Sequence, residues 1–192
     1  MFLFEGNDKA ILYTGDIRSE PWWVNSLTRQ PALLPYVSNA GSRPIAKLDC
    51  LYLDTTFIVT GKADPYVSFP SKADGLQELL RKVSKYPKDT LFYLDAWTFG
   101  YEDVWQALSM FLGSSIHVDD YKYGLYRAVA NGLELKDGEA SKLIGFYCGN
   151  HFQQGCLSAK GSECRIHSCE SGTGCEVWSR GNCFLINGVV IR

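Results

Sequence analysis

The sequence predicts an α/β fold built on a parallel-type sheet, and three observations carry that expectation. Short apolar runs at 49–54, 90–95 and 115–118 hardly alternate between polar and apolar residues, as strands covered on both faces do. Two segments of helical spacing lie between them, giving a β-α-β-α-β order. Two strand-like runs, ILYTGDIR at 11–18 and LYLDTTF at 51–57, carry an aspartate at the tip, where open α/β sheets gather functional groups.

Taken in order, residues 1–5 and 10–15 read as a hairpin around the turn-forming Gly6-Asn7-Asp8. Residues 19–47 hold Pro21, Pro31, Pro35, Gly41 and Pro44, so irregular chain with one or two short helical turns is expected. A strand follows at 49–54. Ser71 and Asp74 have the spacing of a capping box, Leu76, Leu79, Leu80 and Val83 recur at helical intervals, and Pro87 stops that helix. TLFYLD at 90–95 is the next strand. Gly100 introduces a helix through Val104, Leu108, Phe111 and Leu112, which Gly113 ends, and 115–118 is a short strand carrying His117. Residues 127–163 are rich in Gly, Lys and Ser with weak periodicity and read as an irregular insertion. CRIHS at 164–168 and residues 183–191 return to strand character.

The composition narrows the function. No run approaches the ~20 apolar residues that span a bilayer, so no membrane role is expected. The opening MFLF lacks the basic start of a signal peptide, which makes an intracellular protein the expectation. A formal net charge of −2 gives no overall basic footprint, so any nucleic acid must be held by a local patch or a metal. Six of the seven cysteines follow residue 147, among two of the three histidines; in an intracellular chain this points to a metal site rather than a disulfide framework.

Individual residues follow. A carboxylate at a strand tip, as Asp16 and Asp54 would be, can hold a hard cation or orient a water; a turn or helix-cap role is the commoner use of such an aspartate. Arg18 is expected to pair with a carboxylate near the turn. His167 and Cys169, two residues apart on a strand, share a face and suit two ligands of one tetrahedral zinc; buried, reduced, metal-free side chains are the alternative. Trp97-Thr98-Phe99-Gly100 precedes a helix, so Thr98 and Gly100 are candidates for holding a phosphate. The other aromatics are expected mostly in the core, and Arg81, Lys82, Lys85 and Lys88 on a solvated face.

These motifs together resemble the DNA-repair metallo-β-lactamase/β-CASP nucleases. MFLFEGNDKAILYTGDIR is similar to that family's metal-binding strand pair, LYLDTTF followed by FPSK to its first β-CASP motif, and AWTFGYEDVWQAL with LGSSIHV to the following strand-helix-strand of Artemis-like members. The resemblance implies a partial metallo-β-lactamase sheet over 1–48 joined to a β-CASP domain over 49–192. It implies Asp16 as a ligand of catalytic metal (zinc, or magnesium or manganese) and Asp54 as an assistant in proton handling. RIHSCE resembles the His-x-Cys element of a structural zinc site. The implied ligand set is His117, His167, Cys169 and Cys183, with Cys175 as the rival for the last place. The implied activity is hydrolysis of DNA phosphodiesters, from a 5′ end or at structured sites, in interstrand cross-link or double-strand break repair. DNA and repair proteins are the implied partners and the nucleus the implied location. The family's His-x-His-x-Asp-His motif is not found in these residues, and both ends of the chain read as cuts through a domain. An internal piece of such an enzyme is therefore expected; a non-catalytic zinc-stabilised module that binds DNA or a partner and an RNA-processing β-CASP nuclease are the alternatives.

Overall fold

The computed structural model describes residues 1–38, 43–56, 70–132, 139–179 and 183–186. Phe57 and Phe69 of the motifs above fall outside them, as does the end of the strand expected at 183–191. The chain divides into two compact units, Met1–Ser71 and Lys72–Ile191.

In the first unit β1 (Phe2–Gly6) and β2 (Lys9–Tyr13) form an antiparallel hairpin, paired from Phe2↔Tyr13 to Gly6↔Lys9. Its two-residue turn needs positive φ at both positions, and Asn7 and Asp8 supply φ of 50° and 58°, the geometry that matches the twist of the flanking strands. A third strand, β3 (Cys50–Tyr52), adds to β2 in parallel, from Ile11↔Cys50 to Tyr13↔Tyr52. That ladder keeps β3 with the first unit, whereas the sequence boundary at 48/49 assigns it to the second. Between them lie α1 (Pro21–Leu27), with Pro21 in its first turn, and a 3₁₀ turn at Leu34–Tyr36.

The second unit is an α/β structure, as expected, and each described ladder of its five-stranded sheet is parallel. In chain order its strands are β4 (Phe92–Leu94), β5 (Ile116–His117), β8 (Leu157–Ser158), β9 (Ile166–His167) and β10 (Phe184–Ile186), arranged β10-β4-β9-β5-β8. The helices are α2 (Lys72–Val83), α3 (Glu102–Leu112), α4 (Asp120–Gly132), α5 (Glu139–Ile144) and α6 (Glu176–Ser179). Gly113 ends α3 in the left-handed conformation, φ 60°. One core cluster joins Leu79 and Val83 of α2, Phe92 and Leu94 of β4, Val104, Trp105 and Leu108 of α3, and Ile116, Leu157 and Ile166 of the sheet.

The described residues of the stretch expected as an irregular insertion, 127–132 and 139–163, instead hold regular elements. These are the end of α4, α5, an antiparallel hairpin β6 (Gly145–Cys148) with β7 (His151–Gln154), and β8, which completes the main sheet beside β5. The weak periodicity has a structural cause: β6 and β7 pair with each other and are largely exposed, so no buried face imposes an alternating pattern.

Candidate metal centre and strand-tip carboxylates

Parallel register creates the candidate metal centre. On three adjacent strands Tyr93 pairs with His167 and His167 with His117, so these side chains form a row across one face of the sheet. Ser168 points the other way: its hydroxyl accepts a hydrogen bond from Trp105 Nε1 (3.1 Å) and its amide donates to the His117 carbonyl (2.7 Å). Cys169 then returns to the face of His167, and Tyr93 donates its hydroxyl hydrogen to the Cys169 carbonyl. Gly172 and Gly174, at φ of 86° and 74°, turn the chain so that Cys175 comes back over the histidines.

Four donor atoms converge. The two Nδ1 atoms of His117 and His167 are 2.9 Å apart, Cys169 Sγ is 3.4 Å from His117 Nδ1, and Cys175 Sγ is 3.5 Å from His167 Nδ1 and 4.0 Å from His117 Nδ1. Ligand atoms of His117, Cys169 and Cys175 all lie within 4.8 Å of one another, and His167 adjoins two of the three. Around a tetrahedral zinc with Zn–N of about 2.0–2.1 Å and Zn–S of about 2.3 Å, neighbouring ligands stand ~3.3–3.8 Å apart. The four spacings, 2.9 to 4.0 Å, scatter about those values, with His167 on the side of His117 and Cys175.

The protonation pattern also fits a cation. His167 Nε2 donates to the Cys164 carbonyl (3.1 Å), and the His117 ring bonds the Ala159 carbonyl. His167 therefore spends its Nε2–H on backbone and turns its bare Nδ1 toward His117, the arrangement that orients metal-bound imidazoles. Burial holds both rings below the ordinary histidine range, with Asp119 and Asp120 opposing it at His117 and the neighbouring His117 adding to it at His167. At 2.9 Å the two Nδ1 atoms suit a shared divalent ion, and a hydrogen bond from one neutral ring to the other is the metal-free alternative. Burial, then the proximity of Cys175, pushes the Cys169 thiol up; burial first and these thiols next raise Tyr93 to about 12. A bound cation reverses the first effect by stabilising thiolate.

Of the thiols expected at the last ligand position, Cys175 enters this group. Cys183 packs beside it, against the small cluster of Tyr93, Cys169 and Cys175. The family resemblance implied Cys183 for that place, with Cys175 as rival; the structure groups Cys175 there instead, and the glycine turns at 172 and 174 were the available signal for it. The cavity bordering the centre, ≈ 590 Å³, is lined by His117, Asp119, Gly161, His167, Cys169 and Cys175 among others.

The strand-tip carboxylates lie in the first unit. Because Tyr13 pairs with Tyr52 in parallel, the segments carrying Asp16 and Asp54 leave the same edge of the sheet. Thr14 links them: its amide donates to the Tyr52 carbonyl (3.0 Å) and its hydroxyl oxygen accepts from the Asp54 amide (3.3 Å). Gly15, at φ 64°, makes the turn that presents an exposed Asp16. Asp54 is half-buried and its Oδ1 accepts from the Thr56 amide (3.0 Å), so it also serves as a turn residue. Arg18 pairs with Glu20 (2.9 Å), the structural role expected of it.

Thr98 and Gly100 spend their donors within the protein. Thr98 Oγ1 donates to Glu170 Oε1 (2.7 Å) and the Gly100 amide to Glu102 Oε1 (3.1 Å). Glu102 and Asp103 also place negative charge in the first turn of α3, where a phosphate would have to compete with it. Of the aromatics, Trp105 is core, while Trp22 and Trp97 are exposed. His151 is exposed, and Arg81, Lys82, Lys85 and Lys88 lie on a solvated surface, where Arg81 pairs with Glu78 (2.6 Å). Among the described residues no helix is long and apolar enough to cross a membrane.

No family model matches the chain. Among curated proteins, it is 32% identical over 124 residues to protein artemis of Rattus norvegicus, and equally to that of Homo sapiens; each alignment covers 62% of this chain and 16% of the relative. It is 29% identical over 110 residues to 5′ exonuclease Apollo of Mus musculus, covering 57% of this chain and 17% of the relative. The chain thus spans about a sixth of the length of the relatives it matches, and these are the DNA-repair metallo-β-lactamase/β-CASP nucleases that its motifs resemble.

Proposed function

We propose that this chain is part of a DNA-repair nuclease of the metallo-β-lactamase/β-CASP family and that its second unit is braced by a structural zinc. The observation that carries the reading is the match to artemis over 124 residues, in a chain whose fold also gathers His117, Cys169 and Cys175 at one point with His167 beside them. The first unit then corresponds to the end of the metallo-β-lactamase sheet with the first β-CASP motif, and the second to the β-CASP domain. Matches to artemis and to a 5′ exonuclease favour DNA over RNA as substrate. Nuclear location and repair-protein partners follow from the same reading.

Zinc would occupy the two Nδ1 and two Sγ atoms and supply cross-strand bonding to a short-stranded sheet. The residues around it would do the rest: Cys164 fixes the His167 tautomer, Ala159 holds the His117 ring, and Trp105 and the His117 carbonyl hold Ser168 so that its neighbours would face the ion. At the other site, Asp16 would ligate a catalytic cation and Asp54 beside it would orient water or pass a proton. A metal there activates water and neutralises the charge that develops on phosphate.

A chimera tests this. These 124 residues, placed in the matching segment of the rat relative, are expected to support metal-dependent hydrolysis of 5′-phosphorylated DNA and to lose it on Asp16→Ala. A folded, active chimera indifferent to Asp16→Ala overturns the catalytic assignment. Asp16 and Asp54 are too few carboxylates to hold a catalytic cation tightly, and the chain by itself is expected to be inactive.

A further inference from the structure

We propose that Lys122 is the positioning residue of the metal centre: a buried ammonium that locks the two ligand-bearing strand ends together. The inference rests on the zinc reading above and goes beyond it, because Lys122 touches no metal.

Lys122 is fully buried, which is rare for lysine unless its ammonium is satisfied. Its ammonium offers three donors and meets two carbonyls and one carboxylate. Nζ donates to the Ala96 carbonyl (2.7 Å) and the Ser168 carbonyl (3.0 Å), and lies 3.6 Å from Glu170 Oε1. Ser168 separates the ligands His167 and Cys169, and Glu170 directly follows the second. Ala96 stands just past the end of β4. One ammonium therefore ties the end of β4 to the residues on both sides of Cys169.

The other ligand strand is tied by the same residue. Asp119 lies two positions beyond His117; its Oδ1 accepts from the Lys122 amide (2.9 Å) and its Oδ2 from the Glu170 amide (2.9 Å). Burial alone would raise the Asp119 pKa, but these two amides and the Lys122 charge outweigh it and hold the carboxyl below its usual range. Asp119, Lys122 and Glu170 thus form a closed brace from His117 to Cys169. A lysine serving only to stabilise α4 would find its acceptors within α4, whereas these belong to the segments that present the ligands. Replacing it by an apolar residue of similar length would leave the Ala96 and Ser168 carbonyls buried without their partner and release the turn between His167 and Glu170.

The test compares zinc affinities by competition with a chromophoric chelator in wild type, Lys122→Met, Lys122→Arg and Leu108→Ala, with cobalt substitution as a readout of ligand geometry. Leu108 belongs to the large core cluster and serves as a control for general destabilisation. Lys122→Met is expected to bind zinc ~10–100-fold more weakly, as loss of a group supporting metal ligands does, and to alter the cobalt ligand-field bands. Lys122→Arg should recover part of the affinity, and Leu108→Ala should melt earlier while keeping it. Folded Lys122→Met with wild-type affinity overturns the inference, as does an equal loss in Leu108→Ala. Should Lys122→Met fail to fold, Glu170→Gln replaces it: several-fold weaker binding supports the brace and unchanged binding overturns it. Wild-type protein that takes up no zinc overturns the metal reading and the brace together, a result distinct from equal affinities.

Discussion

Cys175 and Cys183 stand on either side of α6, and their sulfurs differ in what they reach. Cys175 Sγ is 3.5 Å from His167 Nδ1 and 4.0 Å from His117 Nδ1, while Cys183 contacts the surrounding apolar cluster. Removing a true ligand leaves three donors and an open position, which zinc tolerates poorly in structural sites. Cys175→Ser is therefore expected to lose bound zinc on dialysis against a mild chelator, and Cys183→Ser to keep one equivalent, both read by elemental analysis. The reverse order would return the fourth place to Cys183. Gly161 offers a finer probe. A methyl group there would lie 2.9 Å from His117 Nδ1 and 3.0 Å from Cε1, closer than real contacts allow. Gly161→Ala should tilt that imidazole off the centre and weaken zinc binding, by less than loss of a ligand does.

Elements with a buried face were legible in the sequence, and those without one were not. Leu79 and Val83 in α2, and Val104 and Leu108 in α3, are buried at the positions their spacing marks. The hairpin turn was visible in Asn7-Asp8 because few residues accept positive φ twice in succession. The β6–β7 hairpin exposes most of its side chains and β8 has two residues, so neither leaves a readable pattern, although β8 closes one edge of the sheet. At the metal centre, His167 and Cys169 were readable from spacing, since a strand puts both on one face. His117 required the family resemblance, because in-register pairing of β5 with β9 is a tertiary fact. The brace through Lys122 was not legible at all: a lysine in a tyrosine-rich helix start looks solvated until the fold buries it. The buried helix face makes its own prediction. Leu108 is fully enclosed, and Leu108→Ala should cost about 2–5 kcal/mol, measured by urea unfolding.

For the whole molecule, the distribution of metal-binding side chains between the two units sets what metal removal can do. Met1–Ser71 contains Cys50 and no histidine, while the three histidines and the remaining cysteines fall in Lys72–Ile191. Zinc that binds the folded second unit and not the unfolded chain stabilises that unit by ~4 kcal/mol at a thousandfold excess over its Kd, and a strong chelator withdraws that stabilisation. The short strands make this consequential. β5 and β9 have two residues each, so their backbone ladders contribute little, and the bonds through a shared ion would contribute much of what holds them in register. Hydrogen exchange resolved by peptide reads each unit separately. Chelation is expected to speed exchange in peptides covering 114–120 and 164–175 and in the β8 edge strand, and to leave β1, β2 and β3 unchanged, because no ligand lies there. Re-adding one equivalent of zinc should restore protection in those same peptides. Uniform loss across both units would mean that the ion holds the whole chain rather than the second unit; no change in either would mean that the convergent histidines and thiols hold no ion.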